Sequence, residues 1–222
     1  MRDQRKPAAY FEDYLAYETQ QVFKREEKLK NCDDVEKARR IHENLFHYRM
    51  DVLIASFSNG AEVAELKELL EKTCLDMTYL HSLSYLNLLT LFSLAVMLDD
   101  GKAIKPLDEC FSSAYNEDKL LHGLRSFLET GTASWIGHYE FPRQYQGLDA
   151  VLLAETSEKR EVALLKYLKS WYSKHKDASW YDTLDDESDV YYGYWCFESG
   201  AIARIFGLND RTLSQSEYYP QL

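Results

Sequence analysis

From Val190 to Leu208 the chain runs Val-Tyr-Tyr-Gly-Tyr-Trp-Cys-Phe-Glu-Ser-Gly-Ala-Ile-Ala-Arg-Ile-Phe-Gly-Leu, and so dense a run of aromatic and small residues demands other elements to cover it. The stretch reads as a helix. At about 100° per residue, Tyr191, Tyr194, Trp195, Ala201, Ile202 and Ile205 share one stripe, while Gly193, Cys196, Gly200 and Ala203 gather opposite. Both sides are expected to be buried, the large side filling a core and the small side admitting another backbone. Ser188 or Asp189 is positioned to cap the start, and Gly207 followed by Leu208 has the form of a Schellman stop. Glu198 falls in the middle of the apolar stripe, where a carboxylate needs a cation, several donors or a raised pKa.

The remaining sequence is helical in the same way. Only 9 glycines and 4 prolines punctuate 222 residues, which favours helices throughout. Pro7 opens a helix to about Lys30 with Tyr10, Phe11, Tyr14, Leu15, Val22 and Phe23 as its apolar residues. Asp33 with Glu36 has capping-box spacing, and Ala38, Ile41, Leu45, Tyr48, Val52 and Ala55 then form a seam. A second stripe, Phe46, Met50, Leu53 and Phe57, implies that this helix is covered on two sides. Asn59-Gly60 turns the chain into a third helix with Val63, Leu66, Leu70, Thr73, Met77 and Leu80 along one side, so the two form an antiparallel hairpin. Leu83 to Leu98 is apolar nearly all round. It is too short to span a membrane and carries Ser84, Asn87, Thr90 and Ser93, so it reads as a buried helix.

Further helices fit Ile104 to Ala114, Asp118 to Glu129, Tyr145 to Ala154 and Lys159 to Lys174, the last with Val162, Leu165, Leu168, Lys169 and Tyr172 on one side. The expected fold is all-α: a compact bundle of about ten helices with antiparallel hairpins. A boundary between Thr130 and Pro142 divides it into an N-terminal region, 1–130, and a C-terminal region, 131–222, packed as one unit.

The chemistry-bearing residues point away from catalysis. His42 and His47 are one residue too far apart for a zincin helix, which places them about 140° apart around the axis. Ser134 lacks the glycines of a nucleophile elbow, and phosphate-loop and dinucleotide fingerprints are absent. His81, His122, His138 and His175 have no spaced partners. Cys32, Cys74, Cys110 and Cys196 are scattered, which suits a reduced cytoplasmic setting better than a disulfide framework or zinc site. The expectation is therefore no catalytic residue, no metal and no cofactor. The N-terminus lacks the apolar core of a signal peptide. A net charge of -11 argues against a direct nucleic-acid binder and suits a basic partner. Asp182, Asp185, Asp186, Glu187 and Asp189 concentrate that charge in one loop and are the expected partner-binding residues.

Four motifs then carry a resemblance: Phe141-Pro142-x-x-Tyr145-x-x-Leu148, Tyr167-Leu168-Lys169-x-Trp171-Tyr172, Tyr191-Tyr192-Gly193-Tyr194-Trp195-x-Phe197-Glu198-x-Gly200-Ala201, and Tyr218-Tyr219-Pro220. Together they resemble the PoNi-type immunity proteins over essentially the whole chain. The resemblance implies a cytoplasmic, all-helical protein that binds and neutralises a cognate DNase toxin, delivered between competing bacteria, often by type VI secretion. It implies neither a membrane nor direct nucleic-acid contact, and leaves homodimerisation open. Tyr191, Gly193, Tyr194, Trp195, Glu198 and Gly200 read as core architecture, apart from the toxin-contacting surface. Two rivals have distinct signatures: a helical enzyme using Glu198 as acid or base needs convergent titratable groups in a pocket, and a peptide-binding scaffold needs a long apolar groove.

Overall fold

The computed structural model describes residues 1–80, 84–103, 105–108, 115 and 117–222. All regular structure among them is helical, with no sheet; an isolated bridge pairs Asp118 with His138. Helix α1 (Ala8–Lys30) starts directly after Pro7, whose extended backbone and missing N–H suit the boundary. Helix α2 (Val35–Asn59) is capped by Asp34, one residue later than the sequence suggests, through its carboxylate accepting from Lys37 N. Gly60, at φ 94°, reverses the chain into α3 (Val63–Met77). Both stripes of α2 enter the core: Ile41, Leu45, Val52 and Ala55 are buried, as are Phe46, Met50, Leu53 and Phe57.

Helix α4 (Tyr85–Leu98) is the centre of the bundle. Only Leu86, Asn87 and Thr90 of its residues escape full burial, as its all-round apolar character requires. It packs against α3, α5 (Lys119–Thr130) and α9 (Phe197–Phe206). Asp118 caps α5 by accepting from Leu120 N and Leu121 N, and Gly131 ends it at φ 74°. The expected helix over Ile104 to Ala114 falls largely outside the described residues, as do His81 and Cys110; 105–108 is helical.

The second half departs from the periodicity in three places. The helix expected over Tyr145 to Ala154 is a chain of single turns, α6 (Pro142–Tyr145), a 3-10 turn (Gln146–Leu148) and α7 (Asp149–Leu152), which turn Tyr145, Leu148 and Val151 inward. Helix α8 (Ser157–Lys174), capped by Thr156, buries Leu164, Tyr167, Leu168 and Trp171; Val162 is 69 % exposed, so the inner face is rotated from the expected one. The largest correction concerns 190–208. Only Phe197–Phe206 is helical, with Cys196 at its N-cap, and Val190 to Trp195 has no regular secondary structure.

Residue type explains the non-helical lead. Four aromatic side chains and a valine lose rotamer freedom in a helix and fit an extended backbone better. Gly193 then takes φ 125°, closed to other residues, because a Cβ there would collide with Ser58 Oγ and the Trp195 ring. With no helix or sheet to satisfy it, the segment is held by side chains and by the C-terminal tail. Tyr191 O accepts from Tyr10 Oη at 2.9 Å, Tyr192 O from Ser58 Oγ at 2.6 Å, and Cys196 N donates to Tyr218 O at 2.9 Å. The Schellman stop forms as expected: Gly207 adopts φ 60° and Leu208 N donates to Ala203 O at 2.9 Å. A short α10 (Asp210–Leu213) leads into the tail. One continuous core runs from Phe11 on α1 to Tyr219 near the C-terminus, joining both regions.

Candidate functional site

The acidic loop lies where the non-helical segment begins. Asp182, Asp185, Asp186, Glu187 and Asp189 are all exposed. Asp182 and Asp189 adopt left-handed backbone, φ 61° and 51°, a conformation aspartate tolerates better than most residues. The loop is pinned to the core from beneath: Tyr172 Oη accepts from Asp182 N at 3.1 Å and Tyr194 Oη from Leu184 N at 2.8 Å. Asp186 Oδ1 accepts from Ser188 N at 2.8 Å, and hydrogen bonding from Ser188 holds its carboxyl below the usual range. The carboxylates therefore stand on a fixed turn.

Beside this loop, a cleft of about 720 Å³ opens between the N-terminal helices and the 179–192 segment. Tyr10, Asp13, Tyr14, Tyr17 and Glu18 form one wall from α1, at spacings of three and four that put them on one face. Asp51 of α2 closes the floor, and Trp180, Asp189 and Tyr192 form the opposite wall. Among the described residues that line it there is no lysine or arginine. Glu18 is 8 % exposed and its Oε2 has no hydrogen-bond partner among the described residues. Burial raises its pKa against the opposing pull of Arg25. Asp51 is pushed up to about 7 by burial first and by the Glu18 charge second. Burial raises the Tyr10 phenol to about 12, and Tyr14 and Tyr192 also rise, each with the Asp51 charge adding to burial. Two carboxyls thus share a poorly hydrated, negative, aromatic-walled site.

Asp13 and Glu18 stand on α1 and Asp189 in the loop, and the structure brings all three to one cleft. Asp51 and the tyrosines are additions. Their signals are a lone carboxylate between Met50 and Val52 in an otherwise apolar stripe, and the Tyr/Asp/Glu face of α1, whose members look like core residues until Tyr17 is found 59 % exposed.

Glu198 is in a contrasting place. It is 4 % exposed, and its Oε1 accepts from Tyr167 Oη and Trp171 Nε1, both at 2.8 Å and both from α8. Burial and the neighbouring Glu198 raise the pKa of Tyr167 and Tyr145 well above the usual phenol value, so both act as neutral donors. His175 Nδ1 donates to Trp171 O at 2.7 Å, and its Nε2 lies 3.2 Å from Tyr145 Oη. Around this cluster, Tyr191 is anchored by Asp3 at 2.5 Å, Trp195 Nε1 donates to Ser58 Oγ at 2.8 Å, and Gly200 leaves room for Met97 and Pro220, which a Cβ would meet at 2.7 and 2.8 Å. His42 pairs with Asp76 at 2.9 Å and stacks on Tyr79, apart from His47. Among the described residues no cluster has a metal-binding arrangement, and no helix is long and apolar enough to cross a membrane.

The fold is shared with a known structure. The crystal structure of protein PA2201 from Pseudomonas aeruginosa aligns over 98 % of this chain and 87 % of its own length, with a TM-score of 0.74 at 18 % identity, a likeness of fold alone. No functionally curated protein matches the chain. Two family models do: the N-terminal model of the PoNe immunity protein (PoNi) family matches residues 2–107, and its C-terminal model residues 116–221. The chain belongs to the PoNi family of immunity proteins.

Proposed function

We propose that the protein binds and neutralises a cognate DNase toxin of the PoNe type, one protein to one toxin, in the cytoplasm of a cell that delivers the toxin to competitors through type VI secretion. The observation that carries this reading is the paired family match across both halves of the chain. The electrostatics support it. A nuclease must present a basic surface to hold DNA phosphates, and a body of net charge -11 with a fixed acidic loop complements such a surface. Regions 1–130 and 131–222 both contribute acids to that face, Glu18 and Asp51 from the first and the 182–189 loop from the second.

An inhibitor of a lethal enzyme must associate fast as well as tightly. Opposite fields raise on-rates by about 10 to 10³-fold and lose that advantage with salt. The motif residues Tyr191, Gly193, Tyr194, Trp195, Glu198 and Gly200 serve the core, and contact with the toxin falls to the acidic face. Glu198 is 4 % exposed, and its two donors account for its burial. Co-expression with the product of the adjacent gene tests the proposal. A 1:1 complex that abolishes DNA cleavage is expected; a purified protein that leaves cleavage intact at molar excess contradicts it.

A further inference from the structure

We propose that the cleft between α1, α2 and the 179–192 segment is the receptor for a cationic side chain of the toxin, with arginine the best match, and this rests on the toxin-inhibitor reading above. Two of its four carboxylates, Glu18 and Asp51, come from different helices and converge without a lysine or arginine among the described lining residues. An acidic surface alone would be explained by solvation. Glu18 is different, because its Oε2 is out of solvent and unpartnered among the described residues, a state that leaves desolvation uncompensated until a donor arrives. The nearby cations leave Glu18 Oε2 without a donor: Arg25 donates to Gln21 and, at 2.9 Å, to Tyr48 Oη, and Lys6 sits 4.9 Å from the ring centroid of Tyr10 on the cleft wall.

The walls select the kind of cation. Tyr10, Tyr14, Tyr17, Tyr192 and Trp180 line the cleft together with its acids. A guanidinium suits this combination better than a small hydrated metal ion. It stacks on rings, is weakly hydrated, and its planar fork bridges two carboxylates. Burial and the charge of Glu18 raise the Asp51 pKa; an arriving cation favours the charged form of both carboxyls, so recognition and ionisation reinforce each other. The exposed loop at 182–189 adjoins the same cleft through Asp189, so the acids that steer the partner lie next to the acids that hold it.

The experiment is binding of the full-length protein to the cognate toxin's nuclease domain, inactivated at its catalytic site, by calorimetry and stopped flow. The isosteric double variant E18Q/D51N should weaken Kd by about 10- to 100-fold, mostly through faster dissociation, without a lower melting temperature. Y17A, at the exposed mouth, should weaken it by about three- to tenfold and guards against misfolding of the first variant. Replacing the toxin's arginines singly should reveal one whose loss is not additive with E18Q/D51N. Wild-type binding with an unchanged Kd for E18Q/D51N, or the absence of any coupled arginine, would overturn the cleft alone. A wild-type protein that does not bind the toxin would overturn the toxin-inhibitor reading and this occupant with it.

Discussion

Glu198 and Glu18 are both nearly removed from water, at 4 % and 8 % exposure, yet their surroundings are opposite. Glu198 accepts two hydrogen bonds at 2.8 Å from neutral donors on a neighbouring helix. Glu18 faces Asp51, another carboxyl, and leaves an oxygen unpartnered among the described residues. The first arrangement joins α9 to α8 and serves the fold. The second opposes the fold, and a protein retains such a site when something outside the chain completes it. Burial by itself therefore does not separate structural from functional carboxylates; the inventory of donors does.

The strongest way to break the structural side of this contrast is Gly193→Ala. A side chain at φ 125° that also meets Ser58 and Trp195 should destabilise the protein by about 3 kcal/mol or more, measured by denaturant unfolding. Glu198→Ala leaves Tyr167 and Trp171 as unsatisfied buried donors and should lose about 1 to 3 kcal/mol, while any folded fraction keeps its affinity for the toxin. The cleft sharpens the comparison with the opposite sign. Since the folded pKa of Asp51 is raised to about 7, the folded state holds a proton that the unfolded chain has released between pH about 4 and about 7. Its contribution is thus most favourable at the acid end, declines as pH rises through that window and levels above it. Asp51→Asn should remove this decline, raising stability at pH 8 by roughly 1 to 2 kcal/mol after allowance for screening. The smallest effect on folding is expected from D185K/D186K/E187K, within about 0.5 kcal/mol, although association should slow and lose much of its salt dependence.

Much of this was legible in the residues. The seams of α2 and α3, the all-round apolar α4 and the Gly60 and Gly207 stops follow from side-chain period and glycine placement, which local physics decides. Val190 to Trp195 deceives because its spacing also fits a helical stripe; its non-helical path is held by distant partners, Tyr10, Ser58 and Tyr218, invisible to a local window. The inner face of α8 is misplaced for a related reason, since Tyr167 and Trp171 bond Glu198, 31 and 27 residues further along the chain. The acids of the loop were apparent as charge. Their meeting with Asp51 was not, because it depends on how the 179–192 segment lies across α1 and α2.

Denaturant unfolding of Glu198→Ala and Asp51→Asn, run side by side at pH 8 without toxin, tests the central contrast most directly. Opposite signs are predicted, a loss for Glu198→Ala and a gain for Asp51→Asn, with the gain disappearing near pH 4. A loss of stability in both variants would contradict the account, because it would make Asp51 a structural carboxylate like Glu198.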